Sequence, residues 1–394
     1  MNLRFLACIM SVPLLLNGCG GGGSSSSTSS FITFTNGQAA SVVIGQSSFT
    51  TNTVGNGDNG LTYPYGNVFV DGVKLYVPDT GNSRVMVFNS IPATNGASAN
   101  FAIGQTSLTN YSTTTDAQTL PYPVGPVIDG SNLVVADMND NRVAIYNSVP
   151  IDSTSSIDVV VGQADKTSNG HNCSQSELYE PNGVAVGNGK LVVADTFNHR
   201  VLIWNSIPTT TDGDGKPADL VLGQTDFTTC TSNTGGVSAS SMYATSAVWT
   251  DGIRLVVLDA GNSRVLIWNS FPTTDGQPAD LVLGQADFTG SSLNRGGAAD
   301  AGTLSTGDST GLYVLYNQLF VTDTGNHRVL IWNTWPTSNG QAADQVIGQP
   351  DFTTTTTSVP TDSTLYYPNG VFAVGKQLFV TDDGNHRILI FNGK

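Results

Sequence analysis

Charged side chains are scarce in this sequence. Only 11% of its 394 residues are Asp, Glu, Lys or Arg, about half of the share usual in soluble domains. Glutamate occurs only as Glu177 and Glu180, and Lys and Arg together number 15. Nucleic-acid binding needs cations clustered on one face, so a chain of net charge −15 is expected to have no nucleic-acid partner. The shortage of Glu and Lys also argues against long surface helices.

Long hydrophobic runs are missing as well. The apolar stretch 5–16 follows Arg4 and is shorter than the roughly 20 residues that a transmembrane helix needs. It ends in L-N-G-C at 16–19, which resembles the lipobox of bacterial lipoproteins, in which the cysteine is acylated. We expect residues 1–18 to be a lipoprotein signal peptide and Cys19 to carry lipid. An ordinary signal peptide cut nearby is the alternative.

A tether follows this cysteine. Residues 19–30 are almost entirely Gly and Ser, a composition that forms flexible linkers rather than a core. The resemblance therefore implies a protein exported and held by lipid to a bacterial membrane, on the periplasmic side or at the cell surface. The folded body is expected to span residues 31–394.

Cysteine is rare in that body, where only Cys173 and Cys230 occur. An even pair in an exported protein suggests a disulfide. The two residues lie ten and six positions after Gln163 and Gln224, which are equivalent positions in successive repeats. We predict that they are bonded.

A repeat with a period of 58 to 64 residues occupies the whole body. Six stretches begin with Asp, place Arg five positions later and continue into an apolar run, as in DTFNHRVLIWN at 195–205. Their fixed residues are Asp79 and Arg84, Asp137 and Arg142, Asp195 and Arg200, Asp259 and Arg264, Asp323 and Arg328, and Asp382 and Arg387. A second motif, an apolar run ending in Gly-Gln, also occurs six times.

Each repeat contains four short apolar runs without helical periodicity, near 183–187, 190–194, 200–204 and 219–223 in the third copy. Runs such as VLIW do not alternate, which is typical of strands buried on both faces. Six repeats of four strands predict an all-β, six-bladed β-propeller. The first Gly-Gln strand, 42–46, precedes any complete set, and the last set, 368–392, lacks one. We therefore expect the N-terminal strand to join the three C-terminal strands, a 1+3 closure that leaves no free edge.

The Asn-His-Arg turn followed by V-L-I-W resembles the NHL repeat. The extended A-D-L-V-L-G-Q-x-D-F strand at 218–227 resembles a bacterial subgroup with long repeats. The resemblance covers about residues 32 to 392 and implies a six-bladed propeller, with no single activity attached to it. RNA binding, known for some eukaryotic members, uses a basic face that this chain lacks.

The Asp, His and Arg of the repeated turn are residue types found in catalytic sites. The histidine, however, occurs in only three copies, as His199, His327 and His386, and Ser83, Asn141 and Ser263 replace it elsewhere. A catalytic group is needed once, so we interpret the turn as structural and the histidine as replaceable. The arginine fork is expected to bond loop carbonyls or the Asp of a neighbouring turn.

The candidate binding residues lie where the first strands of the blades would open at the mouth of the channel. Tyrosines, carboxylates and amides there could hold a sugar or a cationic group. These residues are Tyr63, Tyr122, Glu180, Asn182, Asp308, Tyr367 and Asn369. Packing of Tyr-Pro at the start of a strand is the alternative. The long loops 47–62, 106–120, 164–178, 225–243, 286–306 and 350–364 share this face, and loops on a rigid scaffold often carry function.

Two functions compete. We expect a monomeric, non-catalytic binding or scaffold protein whose ligand is a protein or a glycan. The alternative is a metal-dependent lactonase-like or lyase-like propeller enzyme, for which Glu180, Asn182, Asp308 and Asn369 are the available residues. No cofactor is expected. The stretch DGDGKPAD at 212–219 hints at Ca²⁺ but lacks the spacing of an EF-hand loop.

Overall fold

A computed structural model describes residues 31–307, 310–357 and 359–394. They form one compact unit of six four-stranded antiparallel sheets, each a blade of a β-propeller. The predicted all-β, six-bladed fold is confirmed. No helix in the described part of the chain is long and apolar enough to cross a membrane. The predicted signal peptide, Cys19 and the tether lie outside the described residues.

In blades 1 to 5 the four strands follow the chain outward from the central channel, and in blade 6 the first three do. The strands are Phe69–Val70, Leu75–Asp79, Arg84–Phe88 and Phe101–Ile103 in blade 1; Pro123–Asp129, Asn132–Asp137, Arg142–Tyr146 and Val159–Val161 in blade 2; Pro181–Gly187, Lys190–Asp195, Arg200–Trp204 and Leu220–Leu222 in blade 3; Thr245–Thr250, Leu255–Asp259, Arg264–Trp268 and Leu281–Leu283 in blade 4; Leu312–Leu315, Gln318–Asp323, Arg328–Trp332 and Gln345–Ile347 in blade 5; and Pro368–Val374, Gln377–Asp382, Arg387–Asn392 and Val42–Ile44 in blade 6.

The outer strand of blade 6 comes from the other end of the chain. Val42, Val43 and Ile44 pair with Ile390, Leu389 and Ile388 in antiparallel register. The segment before this strand is also attached, because the Ile32 amide donates to Gln318 Oε1 at 2.6 Å and the Ile32 side chain is buried. The last blade is thus assembled from both ends of the folded body.

The core consists of layers between neighbouring blades. In one such layer Val134 and Ile145 of blade 2 pack with Val193, Leu202 and Trp204 of blade 3. Inner strands are covered on both faces by this arrangement, which explains why VLIW-type runs show no alternation. The indole of Trp204 is fully buried and its Nε1 donates to the carbonyl of Lys216 at 2.9 Å.

Short 3-10 turns join the second and third strands of every blade. They are Thr80–Asn82, Met138–Asp140, Thr196–Asn198, Ala260–Asn262, Thr324–Asn326 and Asp383–Asn385, with a further one at Leu293–Gly296 in a long loop. The residue after each inter-strand turn has left-handed backbone, for example Ser263 with φ 48° and His199 with φ 55°. These turns and the long loops lie at the same end of the blades, called the long-loop face below.

Candidate functional site

The fixed arginine of each turn connects two successive long loops. In blade 3, Arg200 Nε donates to Asp195 Oδ2 at 2.7 Å, Nη1 to the carbonyl of Phe227 at 2.6 Å and Nη2 to that of Ser174 at 2.7 Å. Ser174 belongs to loop 164–178 and Phe227 to loop 225–243. The other five arginines make the same kind of bridge, from Arg84 to Leu108 and Gly57, Arg142 to Lys166 and Thr119, Arg264 to Phe288 and Ser238, Arg328 to Phe352 and Asp300, and Arg387 to Phe49 and Thr361.

The carboxylate that pairs with each arginine is not the one predicted, which was the Asp of a neighbouring turn. Each guanidinium pairs with the Asp of its own turn, not of a neighbouring one, because Asp and Arg are opposite each other in the register of strands two and three. Both side chains are fully buried. Burial raises the pKa of the Asp195 carboxyl, and the Arg200 guanidinium opposes this shift.

The glutamine of the Gly-Gln motif adds a second connection. Gln224 Nε2 donates to the carbonyl of His199 at 3.1 Å and to that of Thr231 in the following loop at 2.9 Å. The equivalent amides of Gln46, Gln105, Gln163, Gln285 and Gln349 do the same in the other blades. Arginine and glutamine together hold all six long loops in one hydrogen-bonded ring, so this face is pre-organised.

The predicted disulfide is present and adds a covalent link to that ring. Cys173 and Cys230 are bonded, with Cα atoms 6.1 Å apart. The bond joins loop 164–178 to loop 225–243, the same two loops that Arg200 bridges. Among the described residues, this is therefore the most firmly fixed sector of the long-loop face.

The variable residue of the turn also has a defined contact. His199, His327 and His386 each accept, through Nδ1, a hydrogen bond at 3.2 Å from a backbone amide of the next blade, that of Ala244, Tyr367 and Tyr63 respectively. Asn141 Oδ1 accepts from Glu180 N in the same way at 2.8 Å. The histidines thus connect neighbouring blades through these hydrogen bonds, so they are less freely replaceable than expected.

The amides that donate to these side chains belong to four residues with left-handed backbone, three of which are candidate binding residues. Tyr63, Glu180, Ala244 and Tyr367 have φ between 44° and 51°. The Tyr63 and Tyr367 rings are about half exposed and pack edge-on against His386 and His327, with centroids 4.4 and 4.8 Å apart. Both tyrosines are therefore available to a ligand on the long-loop face, while their backbones are fixed by the preceding blade.

Tyr122 differs from the other candidates. Its amide donates to Asp137 Oδ1 at 3.1 Å, the bond that Tyr179 makes to Asp195 in blade 3. Pro123 and Pro181 pair with these same aspartates. In blade 3 Glu180 stands between the tyrosine and the proline, whereas in blade 2 the proline follows Tyr122 directly, so blade 2 has no equivalent of Glu180. The Tyr122 ring lies near Tyr65, with centroids 6.3 Å apart.

The amide candidates lie deeper. Asn369 is 3% exposed and its Nδ2 donates to Asp383 Oδ2 at 2.8 Å. Within the described residues, Asn182 Oδ1, Ser246 Oγ, Asn369 Oδ1 and Asp383 Oδ1 are buried atoms with no hydrogen-bond partner. Such unpaired atoms are uncommon in protein interiors, and these four belong to the inner strands and a turn at the mouth of the channel.

Two carboxyl groups at the mouth have perturbed acidity. Burial raises the pKa of Asp383 to about 7, repulsion from Asp382 adds to the shift, and the hydrogen bond from Asn369 opposes it. Burial also raises the pKa of Glu180, against an opposing effect of His171. Asp383 was not identified from the sequence; the signal for it was an acid where the other turns place Thr, Met or Ala. Asp308 lies outside the described residues.

A cavity of about 170 Å³ occupies the central channel. Asn182 and Thr310 line it toward the long-loop face, and Trp249 and Tyr313 toward the opposite face. Tyr313 and Phe372 are in contact there, with centroids 4.5 Å apart, and burial raises the pKa of Tyr313 to about 12. The cavity is therefore polar near the long loops and aromatic at its far end.

Metal ligands do not converge in the described part of the chain, where no three His, Cys, Asp or Glu side chains come together. The aspartates of 212–219 have other contacts. Asp212 binds Lys216 at 3.0 Å, Asp214 binds Lys166 at 2.8 Å, and Asp219 accepts from the amide of Asn205 at 2.7 Å. These contacts fasten turns between neighbouring strands and loops.

Phe197, in the repeated turn of blade 3, is a site residue that the repeat pattern alone does not predict. Phe197 stands where four of the other turns have Gly and one has Asn139. It is 45% exposed and contacts Tyr179, which stacks on His171. The signal was the substitution itself, T-F-N in place of T-G-N.

Residues 178–204, which include this turn, match the family model of the NHL repeat. No curated protein matches the chain significantly. Among solved structures, a streptogramin B lyase aligns at 9% identity with a TM-score of 0.42, over 87% of this chain and 96% of the lyase chain. The computationally designed Ika8 protein aligns at 8% identity with a TM-score of 0.39, over 83% of this chain and 70% of its own.

Proposed function

Because this chain is a six-bladed β-propeller that carries an NHL repeat, we propose that it is a monomeric, non-catalytic binding protein. Its site is the long-loop face around the mouth of the channel, and its ligand is a protein or a glycan. The observation that carries this proposal is the ring of arginine and glutamine bridges, which fixes six long loops of different sequence in one surface. Pre-organisation of this kind lowers the entropy lost on binding.

The opposite face of the propeller is a poorer candidate for the binding site. Its loops repeat closely, as N-S-x-P at 205–208 and 269–272, so they offer six similar surfaces rather than one distinct site. On the long-loop face the exposed side chains differ from blade to blade. The net charge of −15 also favours a ligand that is not a polyanion.

Binding is tested with the solubilised full chain on an array of defined glycans and unglycosylated peptides. We expect a binder whose affinity falls with Tyr122→Ala or Asp308→Ala and is unchanged by Thr210→Lys, an exposed position on the opposite face. If the first two variants leave the affinity unchanged and Thr210→Lys abolishes binding, the site lies on the opposite face and the proposal is wrong.

The membrane location is part of the proposal. Lipid on Cys19 would hold the body outside the cytoplasm, and two or more acyl chains would be needed for firm attachment. We expect the wild-type protein to pellet with membranes and to incorporate labelled palmitate, and Cys19→Ala to lose both properties. A Cys19→Ala protein that still partitions with membranes would contradict the lipid anchor.

A second candidate function is a metal-dependent enzyme at the same mouth. One observation favours it: the Asp383 carboxyl has a pKa raised to about 7 beside Asn369, and perturbed acidity is frequent at catalytic sites. Elemental analysis of the purified chain is the direct test. Stoichiometric Ca²⁺ or Zn²⁺ that is lost with Glu180→Gln or Asp308→Asn would support the enzyme, and metal-free protein would eliminate it.

A further inference from the structure

We propose that His171, Tyr179 and Phe197 form a platform on blade 3 that binds the ring of a sugar. This inference rests on the proposed binding function and names its ligand class and its location. The platform is defined as these three side chains. Tyrosine also occupies the position of Tyr179 in three other blades, whereas no other turn has an aromatic residue at the position of Phe197.

The three rings contact one another in series, with the half-buried Tyr179 in the middle. The planes of His171 and Tyr179 are 11° apart with centroids at 3.9 Å, and Phe197 follows at 5.2 Å from Tyr179. His171 and Phe197, at the two ends, are exposed, and Phe197 keeps 45% of its surface in solvent. The ring surfaces open to a ligand are therefore those of His171 and Phe197, and exposed aromatic groups of this kind are characteristic of interaction sites.

Phe197 is placed against the local preference of the backbone. A Cβ atom on Gly81 would lie 2.5 Å from the carbonyl oxygen of Thr62, and one on Gly384 would lie 2.7 Å from that of Tyr366. In blade 3 the corresponding backbone hydrogen bond, from Phe197 N to Tyr179 O, is 3.2 Å long, against 2.9 Å for Gly81. The phenyl ring is thus accommodated at a crowded position and gains little burial in return.

Polar acceptors adjoin the platform. Glu180 directly follows Tyr179 and lies close enough to His171 for the imidazole to influence its carboxyl group. Asn182 follows on the same strand and has a buried, unpaired Oδ1 at the wall of the channel. Sugar hydroxyl groups donate hydrogen bonds to such oxygens, while the C–H bonds of a pyranose face pack on the electron-rich faces of aromatic rings.

The loop that carries His171 is held at three neighbouring points. Asn198 Nδ2 donates to the carbonyl of Asn172 at 3.0 Å, Cys173 is bonded to Cys230, and Arg200 Nη2 donates to the carbonyl of Ser174. The stacked rings are therefore fixed before a ligand arrives, which reduces the entropy lost on binding.

The size of the platform favours a glycan over a protein. A stable protein interface buries about 800 Å² on each partner, which is much more than three side chains supply. One or two sugar rings fit this area. Loop 164–178 is also rich in Ser and Asn, side chains that suit a ligand recognised by hydrogen bonds.

The test uses the solubilised full chain and soluble oligosaccharides of cellulose, chitin, xylan and starch, with saturation-transfer NMR and calorimetry. Phe197→Gly restores the residue found in four other turns, so it should fold normally. Tyr179→Ala is compared with Tyr243→Ala, since Tyr243 occupies the same position in blade 4 and makes the same backbone bond to Asp259 at 2.7 Å. We expect about a tenfold or greater loss of affinity for Phe197→Gly and Tyr179→Ala, none for Tyr243→Ala, and saturation concentrated on the sugar C–H protons.

Other outcomes would overturn the inference in distinguishable ways. Oligosaccharide binding that survives both platform variants would remove the site from blade 3 and leave the binding function standing. Binding of unglycosylated peptides alone would replace the glycan by a protein and also leave that function standing. If neither class binds the long-loop face, the inference and the proposed function fail together.

Discussion

The imidazole Nδ1 of His199 accepts a hydrogen bond at 3.2 Å from the amide of Ala244, the first left-handed residue of the next blade. This pairing follows a rule around the ring. The last residue of the turn is Asn or His where the next blade has a left-handed residue whose amide donates to it. It is Ser, as Ser83 and Ser263, before blades 2 and 5, which have no left-handed residue at this position. The residue at the turn is therefore matched to the geometry of the blade that follows.

Replacement of His199 should depend on what replaces it. His199→Ser removes the acceptor from a partly buried amide and should cost about 1 kcal/mol of unfolding free energy. His199→Asn should cost much less, because Asn141 makes the equivalent bond at 2.8 Å. Urea unfolding of the two variants measures the difference. Equal losses of unfolding free energy would show that the hydrogen bond to Ala244 contributes nothing.

The three turn histidines should make stability depend on pH. Burial lowers the pKa of His199, His327 and His386, so the unfolded chain takes up protons more readily than the folded one. Their contribution is complete above the unfolded pKa of about 6.5 and is lost as pH falls below it. Between pH 7.5 and pH 5.5, the melting temperature of the triple His→Asn variant should fall by less than that of the wild type. An identical fall in the two proteins would contradict this account.

Loss of one arginine should weaken the fold more than any surface charge. Arg200→Ala leaves Asp195 buried without its partner and releases two long loops, so a loss of about 3–5 kcal/mol is expected. Lys216→Ala breaks the partly exposed ion pair with Asp212 and should cost under about 1 kcal/mol. Thermal unfolding at neutral pH measures both, and similar effects would refute the central role of the arginine.

Asp383 should destabilise the protein at high pH. Its folded pKa, raised to about 7, exceeds the ordinary value, so its contribution is present below the unfolded pKa and is lost as pH rises through 7. Asp383→Thr copies Thr80, Thr196 and Thr324 and should raise stability at pH 8 by on the order of 1–3 kcal/mol, with little gain at pH 4. A gain that is independent of pH would point to packing rather than charge.

The disulfide should be measurable without a structure. Denatured, unreduced protein that lacks its signal peptide and carries Cys19→Ala should show no free thiol, and reduction should release those of Cys173 and Cys230. The Cys173→Ser/Cys230→Ser variant should lose about 2–4 kcal/mol. Full stability in that variant would leave Arg200 as the main link between the two loops.

The blades could be predicted because their evidence is repeated six times. Strands expected near 183–187 and 200–204 are found at Pro181–Gly187 and Arg200–Trp204. The site could not be read in this way, because it depends on single departures from the repeat. The residue missing before Pro123 becomes evident only from the pairing of Pro123 with Asp137, and the Arg200–Asp195 pairing within one turn depends on strand register. Phe197 is one such departure, a single aromatic residue where four other turns have Gly.

The pairing of Val42–Ile44 with the last strand joins residues almost a whole chain length apart. During synthesis or export the N-terminal strand appears first, yet its partner at Ile388–Ile390 is the last to arrive. The inner blades can form from local contacts, whereas this contact must wait and carries a large loop-closure entropy. Ring closure is therefore expected to be the late, slow phase of refolding, and an unpaired 42–44 segment is the exposed edge that a chaperone or a second chain would meet first.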